Sequence, residues 1–249
     1  MDHRRLIQSL TPEQRKSLTA RSDAIGLLHL ATHWGAILVL SSLIVLRVPY
    51  WQFLLLPQGI LLVLCFTLLH ETIHRTTFKT QWINDVVARI CSYIVILPAD
   101  WFRAFHFAHH RFTQDPENDP ELADKKPETL FQYLFFVSGL PVIWSHLKTL
   151  VENACGRCNQ PFVTASVRPK AIREARIMLA VYSAALGLSL ATGSSALLYL
   201  WVMPFFLGQP FLRLYLLAEH GRCPFVGNML ANSRTTYTNW FVRWIAWNM

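Results

Sequence analysis

Long apolar runs alternate with short polar segments along this chain. Ile25–Leu46 is an apolar run of about 22 residues, which at roughly 1.5 Å per residue is enough to cross a hydrocarbon core of about 30 Å. Arg47–Tyr50 then turns the chain and Trp51–Leu69 returns it, so these segments predict a helical hairpin. Ile177–Leu190 and Ala196–Leu217 predict a second hairpin. The pattern therefore predicts an all-α, multi-pass membrane helix bundle with about four crossings in two hairpins.

Two further apolar runs are too short or too interrupted to be simple crossings. Val86–Pro98 contains only about 13 residues, which is typical of a re-entrant or interfacial helix. Leu130–Leu147 is broken by Gly139-Leu140-Pro141, and we expect it to lie on the inner leaflet or to dip into it. If Val86–Pro98 does not cross, the segments on either side of it lie on the same face of the membrane.

Composition and charge agree with a membrane protein. The chain is 53% hydrophobic and 15% charged, against roughly 25% charged residues in a soluble domain. The formal charge is +8, but the Lys and Arg residues flank apolar runs and form no stripe interleaved with aromatics, which argues against nucleic-acid binding. They mark the cytoplasmic side instead. Residues 1–24 read as a cytosolic lead-in, and the absence of repeats or linkers indicates that 1–249 form a single domain.

Five histidines fall into two short clusters with the spacing of metal ligands. His106, His109 and His110 occupy positions i, i+3 and i+4, which share one broad face of a helix. His70 and His74 are one helical turn apart. Neutral imidazoles are common ligands of iron, zinc and copper. The clusters therefore predict a metal site, provided that the fold brings them together.

The predicted topology does bring them to a common membrane face. The first hairpin returns His70 and His74 to the side of the basic N-terminus, and the last run delivers His220 to the same side. His220 is thus a sixth candidate metal ligand. His29 and His33, inside the first crossing, are interpreted as hydrogen-bonded packing residues. His146 is likewise interpreted as structural.

An acidic turn follows the second histidine cluster. Asp115-Pro116-Glu117-Asn118-Asp119-Pro120-Glu121 ends the helix and brings carboxylates near the imidazoles. One interpretation is that a carboxylate accepts the outer N–H of a ligating histidine and fixes its tautomer. The other is a solvated acidic turn, and the sequence alone leaves both open.

These residues resemble the membrane fatty acid desaturase family and its hydroxylase relatives, a superfamily with histidine boxes and a di-iron centre. His70 and His74 match the first box, H-x(3–4)-H, and His106, His109 and His110 match the second, H-x(2–3)-H-H. The turn Asn118-Asp119-Pro120-Glu121 is similar to family sequence, and His220 lies where relatives place one extra ligand. The resemblance covers nearly the whole chain.

The resemblance implies an oxidoreductase that introduces a double bond into a lipid acyl chain, with O₂ as co-substrate. It implies two iron ions and a metal site on the cytoplasmic face. An electron donor such as ferredoxin, or cytochrome b5 with its reductase, would act as partner. The implied catalytic residues, all of them metal ligands as well, are His70, His74, His106, His109 and His110, with His220 as a further metal ligand.

One departure from the family pattern is clear, and it keeps other interpretations open. No third H-x(2–3)-H-H box follows His220, so we expect a chain truncated before that box, and possible inactivity of this polypeptide. A related lipid, carotenoid or alkane hydroxylase is a second hypothesis. His70-Glu71-Thr72-Ile73-His74 also fits H-E-x-x-H, the zinc protease pattern with Glu71 as general base. A non-catalytic metal-binding membrane remnant is a fourth.

Overall fold

The computed structural model describes residues 2–123, 127–220 and 223–249, except for the side chains of Ala218 and His220. The described residues form helices and connecting turns, with no strand among them. The α-helices are α1 (His3–Ser9), α2 (Pro12–Leu18), α3 (Asp23–Val45), α4 (Leu55–Val63), α5 (Cys65–Ile73), α6 (Gln81–Val95), α7 (Ala99–Phe112), α8 (Leu130–Val137), α9 (Leu140–Ala154), α10 (Arg168–Thr192), α11 (Met203–His220), α12 (Met229–Asn232) and α13 (Trp240–Ile245).

Four segments are long and apolar enough to cross a bilayer, as the hydrophobic pattern predicted. They are Pro12–Val45, Trp51–Ile73, Arg168–Thr192 and Leu198–Leu217. Within the second of these, a 3₁₀ turn leads into α4 and α5, and a π-helical turn precedes α11 in the fourth. The expected all-α membrane bundle is therefore confirmed.

A pair of glycines lets the two hairpins touch through their backbones. A Cβ on Gly59 of α4 would overlap the backbone carbonyl of Pro204, and a Cβ on Gly208 of α11 would overlap the carbonyl of Gly59. Small residues that allow close backbone approach are a common means of helix association in membranes. This contact sets α11 against the helices that lead to the first histidine cluster.

The two irregular apolar segments form bent helix pairs. α6 and α7 meet at an angle of 97°, and α8 and α9 meet at 55°. Gly139 makes the second bend with φ of +75°, and a Cβ there would collide with the side chain of Gln209. The 13-residue run predicted as re-entrant or interfacial thus ends at the sharp bend between α6 and α7.

The C-terminus of α6 is buried, yet its last carbonyls all have partners. Helix ends leave backbone carbonyls unpaired, and in a bilayer no water replaces the missing donors. Side chains from three other helical segments supply them. Tyr182 Oη donates to the Tyr93 carbonyl (2.7 Å), Trp201 Nε1 to the Ile94 carbonyl (2.9 Å), and His146 Nδ1 to the Val95 carbonyl (3.0 Å).

The histidines of the first crossing are packing residues, in agreement with the interpretation from sequence. His33 is fully buried, and its Nε2 donates to the Leu61 carbonyl over 3.1 Å. Trp247 Nε1 donates to His33 Nδ1 over 2.6 Å. His29 stacks on the Trp247 ring with centroids 3.8 Å apart and also bonds to the Trp244 carbonyl. The segment that contains α13 is thereby held against α3.

Candidate metal centre

Two helices present the predicted ligands to each other. α5 ends the second candidate crossing, and its last turn carries His70, with His74 at the C-cap. α7 carries His106 and His110 one helical turn apart. Because i and i+4 side chains lie above one another on a helix, each helix contributes a pair of imidazoles directed to one side. The bend before α7 turns its pair toward α5.

The four imidazoles converge on a single point. One ring nitrogen from each of His70, His74, His106 and His110 lies within 4.8 Å of the others. Nε2 of His74 is 2.9 Å from Nε2 of His106 and 3.2 Å from Nε2 of His110, and the latter two are 2.8 Å apart. Three mutually adjacent nitrogens cannot be joined by three N–H···N hydrogen bonds unless protons crowd into one small space.

A shared cation explains this convergence better. Nitrogens bound about 2.0–2.1 Å from one tetrahedral ion lie roughly 3.3 Å from one another. The observed separations of His74, His106 and His110 are slightly shorter, so a small outward movement would admit an ion. Imidazole suits iron, zinc, copper or nickel rather than magnesium or calcium. The residues present therefore fit a transition metal.

The surroundings of the cluster keep the His74 imidazole neutral and orient the His70 ring. Burial, and next the neighbouring His70 ring, lower the pKa of His74 to about 4, so this imidazole is neutral at pH 7 with a lone pair available. His70 Nδ1 donates to Glu71 Oε1 over 3.0 Å, which leaves Nε2 of His70 to face a metal. Thr76 Oγ1 donates to Glu71 Oε2 over 2.7 Å and fixes the carboxylate. Glu71 therefore orients the His70 ring.

His109 has a different environment from the other four histidines. The residue is 3% exposed, and its Nδ1 donates to Asp119 Oδ1 over 2.9 Å, with Glu121 Oε2 at 3.2 Å. Burial raises the pKa of Asp119, but the hydrogen bonds from His109 and the Glu121 N–H outweigh it, so the pKa lies below its usual value. Asp119 is 5% exposed. The carboxylate that accepts a histidine N–H is thus present, while Glu117 in the same turn is solvent-exposed.

A partly buried acid on α11 belongs to the same surroundings. Burial raises the pKa of Glu219 to about 7, and the nearby His70 offsets this only in part. His109 and Glu121 also lie within electrostatic range of Glu219, so this carboxyl is near both histidine groups. No role was predicted for Glu219, although its position directly before His220 was a signal. The His220 side chain lies outside the described residues.

Four of the predicted ligands thus form one group, and His109 lies next to this group with a hydrogen bond to Asp119. The zinc protease pattern accounts for two of these four imidazoles and leaves His106 and His110 without a function. Glu71, its general base, is held by His70 and Thr76. The geometry favours a centre built from both clusters.

Comparison with known proteins agrees with this geometry. The sn-1 oleoyl-lipid 12-desaturase of a Picosynechococcus species is 29% identical over 110 residues, which cover 38% of this chain and 31% of that protein. No solved structure matches the chain. The family model described as fatty acid desaturase matches residues 47–249. This chain therefore belongs to the fatty acid desaturase family.

Proposed function

We propose that this protein introduces a double bond into a lipid acyl chain in an O₂-dependent reaction at a histidine-ligated di-iron centre. The observation that carries the proposal is the convergence of four imidazoles from two separate helices at the end of a candidate crossing. The family normally uses a di-iron site. The donor set of neutral imidazoles suits iron.

His70, His74, His106 and His110 would hold one iron, and His109 and His220 would contribute to the second. Iron supplies the redox chemistry with O₂ that removal of hydrogen from an unactivated methylene requires. Glu71 and Asp119 fix the tautomers of His70 and His109, so each imidazole turns a lone pair away from its carboxylate. This positioning role belongs to the chain itself.

The location suits a substrate that remains in the bilayer. The histidine cluster lies where α5 leaves the hydrophobic segment, so an acyl chain lying between the crossings can reach it without leaving the lipid. The curated relative is named for a lipid-linked oleoyl substrate, and a lipid-linked acyl chain is our proposal here. We place the cluster on the cytoplasmic face, where ferredoxin, or cytochrome b5 with its reductase, would deliver electrons.

Expression of this protein in cells rich in saturated or monounsaturated lipid tests the proposal. Acyl chains are analysed by gas chromatography and mass spectrometry, and bound metal by elemental analysis. We expect iron and a new double bond. His74→Ala should abolish the double bond and lower the iron content, and Glu117→Gln should retain both. An alcohol product would indicate the related hydroxylase. A single zinc, or iron-loaded protein that leaves lipid unchanged with a competent electron donor, would contradict the proposal.

A further inference from the structure

A second polar site lies on the lipid-facing side of the bundle, apart from the histidines. A groove of about 300 Å³ opens between α6 and the first turns of α10, and it shares no lining residue with the histidine cluster. Along α10, its lining changes from Lys170 and Arg173 to Ile177, which follows Arg173 by about one helical turn. This is where the basic segment before α10 gives way to its membrane-spanning part.

The two acidic residues of the groove share one cation. Arg89 donates from Nη1 to Glu174 Oε1 over 3.0 Å and from Nη2 to Asp100 Oδ2 over 3.1 Å. The backbone N–H of Asp100 donates to the second oxygen of Glu174 over 2.8 Å. One guanidinium thus bridges both carboxylates and offsets one of their two negative charges.

Two cations at the mouth have no such partner. Lys170 and Arg173 are exposed, and neither forms an ion pair with any residue that the structure describes. Together with Arg89 they set three positive groups against the two carboxylates that line the groove. The mouth therefore carries a net positive charge and favours an anion.

The floor of the groove selects the kind of anion. Ile177 is 48% exposed and Val181, one turn further into the bilayer, is 46% exposed. Both belong to the face of α10 that the bundle leaves uncovered, so the groove continues into a lipid-facing apolar surface. A ligand with a phosphate at one end and acyl chains at the other matches both parts, whereas free phosphate or an acidic protein surface matches only the first.

We propose that this groove binds the headgroup of an anionic phospholipid, with the phosphate at Lys170 and Arg173 and the acyl chains along Ile177 and Val181. The site is independent of the proposed oxidation. Asp100, which lines the groove, lies at the start of α7, so the site adjoins the helix that carries His106 and His110.

Native mass spectrometry of the purified full chain tests the proposal, with phosphatidylglycerol and phosphatidylcholine added in equal amounts. We expect the protein to retain phosphatidylglycerol preferentially. Each Lys or Arg near an anionic lipid contributes about fivefold to binding, so K170Q/R173Q should lower this retention roughly 25-fold. The matched control is K79Q/K148Q, which removes the same charge from two exposed lysines outside the groove.

A third variant and a competitor separate the groove from general surface charge. Ile177→Trp keeps every cation but fills the apolar floor, and it should also reduce retention of phosphatidylglycerol. Equal loss in both double variants, or unchanged binding in Ile177→Trp, would overturn the proposal. So would displacement of the lipid by millimolar inorganic phosphate, because the site would then recognise phosphate alone. Circular dichroism identifies any variant that is misfolded.

Discussion

The Nδ1 atom of His109 donates a hydrogen bond to the buried carboxylate of Asp119, 2.9 Å away. The bond crosses from α7 to the turn that follows it, and the Gln114 N–H donates to the other carboxylate oxygen over 2.9 Å. The ring of His109 is therefore fixed in orientation and tautomer before any metal arrives. An unassisted imidazole would have to lose that freedom on binding.

Removal of this carboxylate should weaken metal binding without removing a ligand. Partners that fix the outer N–H of a ligating histidine contribute about 10- to 100-fold to metal affinity, so we expect a loss in that range for Asp119→Ala. Competition with a chromogenic chelator measures it. Glu117→Ala, in the same turn but exposed, is the control. Similar affinity in the two variants would mean that Asp119 only caps the turn.

Metal should stabilise the fold through the four-histidine group. A ligand at about 100 times its dissociation constant adds roughly 2.7 kcal/mol to stability, so Fe²⁺ should raise the thermal unfolding midpoint of the wild-type protein in detergent. His74→Ala should abolish that increase, since it opens the group of four. His29→Ala should lower the baseline midpoint through lost packing yet keep the increase. A metal response in His74→Ala equal to that of the wild type would exclude His74 as a ligand.

His109→Ala should separate the two parts of the centre. His109 lies outside the group of four described imidazoles, so the variant should keep metal bound at that group and lose the second ion. We expect double-bond formation to be abolished and iron content to fall, but not to zero, by elemental analysis. Near-normal activity in this variant would remove His109 from the centre, and complete loss of metal would show that the two positions are not separable.

Helical spacing predicted which histidines share a face of α7, but not which of them meet the histidines of α5. His106, His109 and His110 lie within about 100° of arc on an ideal helix. Which of them meets α5 depends on how α7 crosses it, and that crossing is set by the 97° bend after α6. Asp119 is ten positions from His109, and the left-handed backbone of Gln114 in the turn brings it back. The helical periodicity of the sequence does not predict this contact between His109 and Asp119.

The crossings were easier to predict because a bilayer imposes length and polarity on each segment separately. The partners of the buried α6 carbonyls were not predictable in this way. Tyr182, Trp201 and His146 come from three distant parts of the chain. The interpretation of His146 as structural contains no information about which carbonyl accepts its hydrogen bond.

The hydroxyl of Tyr182 should contribute measurably to stability. It donates to the Tyr93 carbonyl at the buried end of α6, and an unpaired buried carbonyl costs about 1–3 kcal/mol. Tyr182→Phe should lower unfolding free energy by that amount in denaturation with sodium dodecyl sulfate. Tyr133→Phe is the matched control, because its hydroxyl makes no hydrogen bond to another described residue. Equal stability of both variants would indicate that another donor replaces Tyr182.

Adding a single methyl group at Gly59 or Gly208 should disturb the contact between the two hairpins strongly. A Cβ at either position meets the backbone of the opposite helix, which cannot move aside as a side chain can. We expect Gly59→Ala or Gly208→Ala to cost about 1–3 kcal/mol or more. Because α11 also carries Glu219 beside His70, metal affinity should fall with stability.

Gly187→Ala, on the exposed face of α10 with nothing within 4 Å, is the control. It should be neutral or stabilising by up to about 1 kcal/mol, since alanine is the better helix former. The unfolding midpoints of the three variants, measured in one detergent, test this prediction. A Gly59→Ala protein as stable as Gly187→Ala would mean that the two hairpins do not meet through these backbones.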